Sequence, residues 1–125
     1  MDENQLSFEI IGCAIELHKQ LGPGLLESAY EAALAFELRN AGLHVESQIP
    51  MPMYYKEIKM DVGYKLDLLV NNKVIVEIKS VESLAPVHFA QTLTYLRLAD
   101  KRLALRINFN TNQIRQGIHR IVNNL

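Results

Sequence analysis

Three charged side chains interrupt a stretch that otherwise reads as protein core. Residues 64–80, YKLDLLVNNKVIVEIKS, hold two β-prone apolar runs on either side of Asn71-Asn72. Runs of this length, with β-branched residues and a turn signal between them, predict a buried hairpin. Within it lie Asp67, Glu77 and Lys79. An unpaired charge in such strands is costly unless it has a partner, a metal or water. Two carboxylates beside one amine point to a metal site with an attendant lysine. The alternative is a plain hairpin whose charged residues face solvent.

Register separates these readings. Side chains alternate along a strand, so Glu77 and Lys79 share a face. A two-residue turn at Asn71-Asn72 would pair Asp67 with Val76 and put Asp67 and Glu77 on opposite faces. A shared site therefore requires a three-residue loop, Asn71 to Lys73, or a bulge. Asn tolerates the left-handed backbone such loops use. The metal reading predicts that irregularity.

The surrounding elements must position this hairpin. The spacing of Phe8, Ile11, Ala14, Ile15 and Leu17 predicts a helix from about Ser7, its N-cap, to Leu21, ended by Gly22-Pro23-Gly24. A second helix is expected over about Leu25–Ala41, with Leu26, Ala29, Tyr30, Ala33 and Leu34 as its buried stripe and Gly42 beyond its end. Glu27 lies in its first turn, where the helix dipole favours a carboxylate; the functional alternative is that it faces the hairpin as a further metal-site acid. Leu43–Ile49 reads as a strand stopped by Pro50 and Pro52, which suit an edge or an irregular strand, followed by an extended Met53–Tyr55, a turn at Lys56-Glu57, and Ile58–Met60. Tyr54 and Tyr55 suit packing, or stacking on bases. A third helix is expected over about Pro86–Ala99. It places His88, Gln91 and Tyr95 on one face, which could line a cleft, and Phe89, Leu93 and Leu96 on another. Leu103–Phe109 reads as a strand. Ile114, Ile118, Ile121 and Val122 fit a closing helix, which Gly117 weakens.

The 125 residues suit one domain, 1–125, with a single core. No apolar run approaches the roughly 20 residues of a membrane span, and the acidic start is unlike a secretory signal. Cys13 is alone, so no internal disulfide can form, and a reducing, cytoplasmic setting is expected. A formal net charge of −1 argues against a nonspecific nucleic-acid coat but leaves open a local basic patch, with Lys56, Lys59, Lys65, Lys73 and Lys79 clustered in the strand region. The cluster Arg97, Lys101, Arg102 and Arg106 reads as solvated surface. Zinc-ligand spacing, a nucleophile elbow and a phosphate-binding glycine loop are all missing from the sequence.

The order α-α-β-β-β-α-β predicts an α/β fold with a mixed four-stranded sheet flanked by helices. At this point the chain resembles a known family. Gly24-Leu25-Leu26-Glu27-Ser28-Ala29-Tyr30 resembles the GxxExxY signature of small prokaryotic proteins grouped with the PD-(D/E)xK nuclease superfamily. The likeness extends through IIGCAIELHKQLGPGLLESAY, YKLDLLVNNKVIVEIKSVESLAPVH, QTLTYL and INFN, from about Ile10 to Val122. It implies a restriction-endonuclease-like αβββαβ core and gives the residues roles. Asp67 resembles the motif's Asp, Glu77 its (D/E), Lys79 its lysine, Glu27 the acid of the first core helix, and Gln91 and Tyr95 its Q-x-x-x-Y element. The Asn71-Asn72 turn departs from relatives that often carry Gly there.

The resemblance implies a nuclease using Mg²⁺ or Mn²⁺, with nucleic acid as partner, DNA more than RNA. Asp67, Glu77, the main-chain carbonyl of Ile78 and Glu27 would be the metal-site groups. Lys79 would orient or deprotonate the attacking water, or offset charge. Gln91 and Tyr95 would position a phosphate or the Lys79 amine. A catalytically inactive module of the same fold, binding nucleic acid or protein, is the alternative, and a fold with no ligand is a third. A homodimer or partner protein could widen the binding surface.

Overall fold

Apolar alternation along the strands sorts side chains onto two faces of one sheet. The structure, a computed structural model, describes every residue except the side chains of residues 61 and 62. Helix α1 is Glu3–Leu21 and α2 is Glu27–Asn40. Strands β1 (Val45–Tyr55), β2 (Ile58–Val70) and β3 (Val74–Lys79) follow, then α3 (Pro86–Ala99) and β4 (Leu103–Asn108). A short 3₁₀ turn, Ile114–Gly117, leads into β5 (Ile118–Val122). The sheet runs β1-β2-β3-β4-β5. All neighbours are antiparallel except β3 and β4, which are parallel and joined through α3. This is the crossover a parallel pair requires.

β3 is buried along Val74–Ile78, and β4 throughout. Such runs are expected of strands covered on both faces. Val74, Val76 and Ile78 pack with Leu6, Ile10 and Leu34 beneath α1 and α2. Ile75 packs with Tyr95 and Leu96 of α3 on the other face.

The sheet has five strands, not the expected four. The tail that fits a helix by spacing instead makes β5, pairing Ile107 with Ile118 through Leu103 with Val122. Gly117 explains the change: a Cβ there would collide with the Asn108 carbonyl oxygen. Its missing side chain lets the chain turn tightly against the end of β4.

Other boundaries move for local reasons. α1 starts before Ser7, because Asp2 and Gln5 form a capping box: Gln5 N–H donates to Asp2 Oδ1 at 2.8 Å and Asp2 N–H to Gln5 Oε1 at 2.9 Å. Ser7 is buried inside the helix, and Phe8, expected in its stripe, is exposed. Leu6, Ile10, Ala14 and Leu17 form the buried stripe instead. Leu26 is likewise exposed, as is Ala29. Pro50 and Pro52 do not stop β1. It is an edge strand, where proline's missing donor costs little, and its register shifts between Pro52 and Met53.

Candidate active site

The β2–β3 hairpin pairs Val70 with Val74, Leu69 with Ile75 and Leu68 with Val76. This is the three-residue loop that a shared site requires. Asn71 and Asn72 both take positive φ, 50° and 55°, the left-handed region asparagine tolerates. Asn71 is held further: His44 N–H donates to its Oδ1 at 2.8 Å.

The β2–β3 ladder ends at Leu68–Val76, and Asp67 takes over from it. Asp67 Oδ2 accepts from the Ile78 N–H at 2.8 Å. A side chain thus occupies a place where a main-chain carbonyl would continue the ladder. The strands separate there, and the gap is the heart of the site.

Glu77 sits beside the gap, 4% exposed. Its Oε1 is buried without a hydrogen-bond partner. Burial pushes its carboxyl up to about 8, and the charge of Asp67 pushes the same way, while Arg106 opposes both. Asp67 and Glu77 are therefore brought together.

Arg106 is not the solvated surface residue that its neighbours in sequence suggest. It is instead 1% exposed and in register with Glu77 across the β3–β4 pair. Its Nη1 donates to the His88 carbonyl and to Thr92 Oγ1, and its Nε has no partner. Burial lowers its pKa, against the pull of Glu77 and Tyr95. The signal was present: in LALRIN a lone arginine stands in an otherwise apolar strand, as Glu77 does in VIVEIK.

Two cavities flank the gap. One, of about 480 Å³, is lined by Glu27, Glu31, Gln48, Asp67 and Ile78 among others. The other, of about 530 Å³, is lined by Lys79, His88, Gln91, Tyr95 and Tyr64 among others. The six expected residues are thus divided. Glu27 and Asp67 share the first cavity with Ile78. Lys79, Gln91 and Tyr95 share the second, and Glu77 is buried beside Asp67 and close enough to Tyr95 to raise its pKa, after burial. The face of α3 bearing His88, Gln91 and Tyr95 does line a cleft. Lys79 makes no ion pair within 4.0 Å among the described residues, where His44–Glu46 is the one pair at that distance.

The segment Gly24–Tyr30 positions the acid of the first cavity. Gly24 takes φ 99°. The Tyr30 hydroxyl donates to the Gly22 carbonyl at 2.6 Å and accepts from Leu25 N–H at 3.1 Å. Its ring stacks on Phe109 with centroids 4.6 Å apart. So anchored, the first turn of α2 points Glu27 at the end of β3, where Glu27 Oε1 accepts from Ser80 N–H at 3.3 Å.

Sequence reading missed Gln48 and gave Glu31 no role. Gln48 has positive φ, 53°, uncommon for such a residue. Its amide donates to Glu31 Oε1 at 2.6 Å and lies 3.5 Å from Asp67 Oδ1. Burial raises the Glu31 pKa, with Asp67 and Glu27 adding to the effect and Gln48 opposing it. Nothing in the sequence signals a left-handed glutamine within a strand.

Among the described residues no three His, Cys, Asp or Glu side chains form a cluster that could hold a metal. The donor set still fits a hard cation with open positions, which commonly takes one or two carboxylates and keeps several waters. Asp67 Oδ1 and the orphaned Glu77 Oε1 are oxygen acceptors lacking strong donors.

The PD-(D/E)XK nuclease superfamily model matches residues 4–121. The chain belongs to the PD-(D/E)XK nuclease superfamily. Nucleases of this superfamily generally use divalent metals. The mixed sheet flanked by helices, with α2-β1-β2-β3-α3-β4 in chain order, agrees with that assignment. No curated protein and no solved structure matches the chain. No helix among the described residues is long and apolar enough to cross a membrane.

Proposed function

We propose that this chain, a superfamily member of the GxxExxY type, hydrolyses phosphodiester bonds of nucleic acid, DNA in the first instance, with Mg²⁺ or Mn²⁺. One observation carries the reading. Where β2 leaves β3, Asp67 caps the Ile78 N–H and stands beside a buried glutamate with an orphaned oxygen. A hairpin built only for stability has no use for two mutually repelling carboxylates there.

Asp67, Glu77 and the Ile78 carbonyl would hold the cation, with Glu27 reaching it through water. When bound, the cation would supply an activated water and offset charge on the phosphate. The protein's own groups do the rest. Lys79 offers a compact positive charge to a phosphate oxygen or to the attacking water. Gln91 and Tyr95, lining the same cavity, offer an amide and a hydroxyl to orient the phosphate. The test is cleavage of single- and double-stranded DNA and RNA with each cation. Asp67→Ala and Lys79→Ala should each abolish cleavage by the wild-type chain. Cleavage that survives both changes would refute the assignment.

A further inference from the structure

The β1–β2 hairpin extends past the core. β1 and β2 have 11 and 13 residues against 6 in β3. From Ile49–Leu66 to Tyr55–Ile58 the two strands continue to pair with each other, beyond the last β2–β3 pair. Past Met51 on β1 and before Leu66 on β2, none of the described residues is buried. At the far end Tyr54 and Tyr55 are each 59% exposed and Ile58 63%. Packing, one sequence expectation for the two tyrosines, is therefore overturned.

Exposed aromatic and apolar side chains on a two-stranded ribbon do not help it fold, since such a ribbon is marginal by itself. The turn has the same character. Lys56 and Glu57 both take positive φ, 49° and 65°, where Asn-Gly would be easier. This turn sets Lys56 Nζ 5.6 Å from the centre of the Tyr55 ring. Lys59 pairs across the ribbon with Tyr54. Each tyrosine thus has a lysine beside it. At the ribbon's root Tyr64 lines the cleft with Lys79 and Gln91, its ring 5.6 Å from that of Tyr95.

We propose that this ribbon is an arm around whose edge an unpaired stretch of nucleic acid wraps, one base stacked on Tyr54 on one face and one on Tyr55 on the other, with phosphates near Lys59 and Lys56. The proposal rests on the nuclease reading for its direction, since the arm leads into the Lys79 cleft. Unpaired bases, not duplex, are the fitting occupant. Tyrosine faces need an accessible base, whereas duplex is held mainly by positive charge, and the chain's net charge is −1. Pro50 and Pro52 on β1 remove ladder donors from the edge a second copy would need for strand pairing.

The test measures binding of a short fluorescent oligothymidylate, and of a duplex of equal length, in Ca²⁺. Hydrolysis of bis(p-nitrophenyl) phosphate is followed in parallel with Mn²⁺. Tyr54→Ala and Tyr55→Ala should each weaken single-strand binding about tenfold, and the Phe variants should retain it. Hydrolysis of the small ester should be the same in all five proteins. Single-strand binding unaffected by both alanines, or a wild-type preference for duplex, would overturn the arm. So would a dimer that the alanines dissociate without loss of binding, which would make the ribbon a self-association surface. A wild type inert toward the small ester that still loses oligothymidylate binding on alanine substitution would sink the catalytic reading and leave the arm standing.

Discussion

With its carboxyl pushed up to about 8, Glu77 holds a proton at neutral pH in the metal-free protein. The ordinary value, 4.5, applies once the chain unfolds. Between these limits the folded state binds a proton that the unfolded state lacks, so this group's stabilising contribution is complete below pH 4.5 and lost as pH rises through about 8. Metal-free protein should therefore lose on the order of 1 kcal/mol per pH unit across that window from this group. Urea unfolding at a series of pH values checks the slope, and Glu77→Gln should flatten it. Asp67 tests the other half of the pair. Asp67→Ala leaves the Ile78 N–H without its acceptor and should lower stability by about 1–3 kcal/mol. Asp67→Asn keeps an acceptor oxygen and should cost less. Both should bring the Glu77 pKa down, since the Asp67 charge is among the causes that raise it. Asp67 and Glu77 were legible in the sequence as charges inside apolar strands. Arg106 carried the same signal but was grouped with surface arginines nearby in sequence, although single-residue spacing in a buried strand is the better guide to burial.

The three-residue loop between β2 and β3 decides which carboxylates meet. Asn72→Gly should change stability by less than about 1 kcal/mol, because glycine accepts positive φ without strain while only an exposed acceptor for Lys101 Nζ is lost. Asn71→Gly should be destabilising, because it also removes the acceptor for His44 N–H. Thermal denaturation of the two variants separates these effects. Arg106→Met should loosen α3 specifically. The guanidinium ties β4 to the His88 carbonyl and Thr92, so hydrogen exchange should rise in Pro86–Ala99 more than in α1. Spacing alone located α3 and β3 to the residue, since Pro86 opens the helix and the apolar run delimits the strand. It leaves the tail ambiguous because Ile114, Ile118 and Ile121 suit either period, and a close backbone approach at Gly117 settles the outcome. It also split β1 at its prolines, although the same prolines suit the irregular edge strand that β1 proves to be.

At the scale of the molecule, the sheet divides the chemistry. Acids gather on the α2 side, the lysine and its polar neighbours on the α3 side, and Glu77 lies buried by the gap. The sequence carried the element order through β4 and part of both groups, but not Glu31 or Gln48. It could not carry the division, which arises because Asp67 leaves the ladder to bond Ile78 N–H while Glu77 and Lys79 stay on β3. The central claim is that this gap is a divalent-cation site, and Mn²⁺ binding followed by electron paramagnetic resonance tests it most directly. The wild-type chain should sequester Mn²⁺, and Asp67→Asn combined with Glu77→Gln should lose that binding while retaining the native circular dichroism. Mn²⁺ held equally well by the folded double variant would contradict the account.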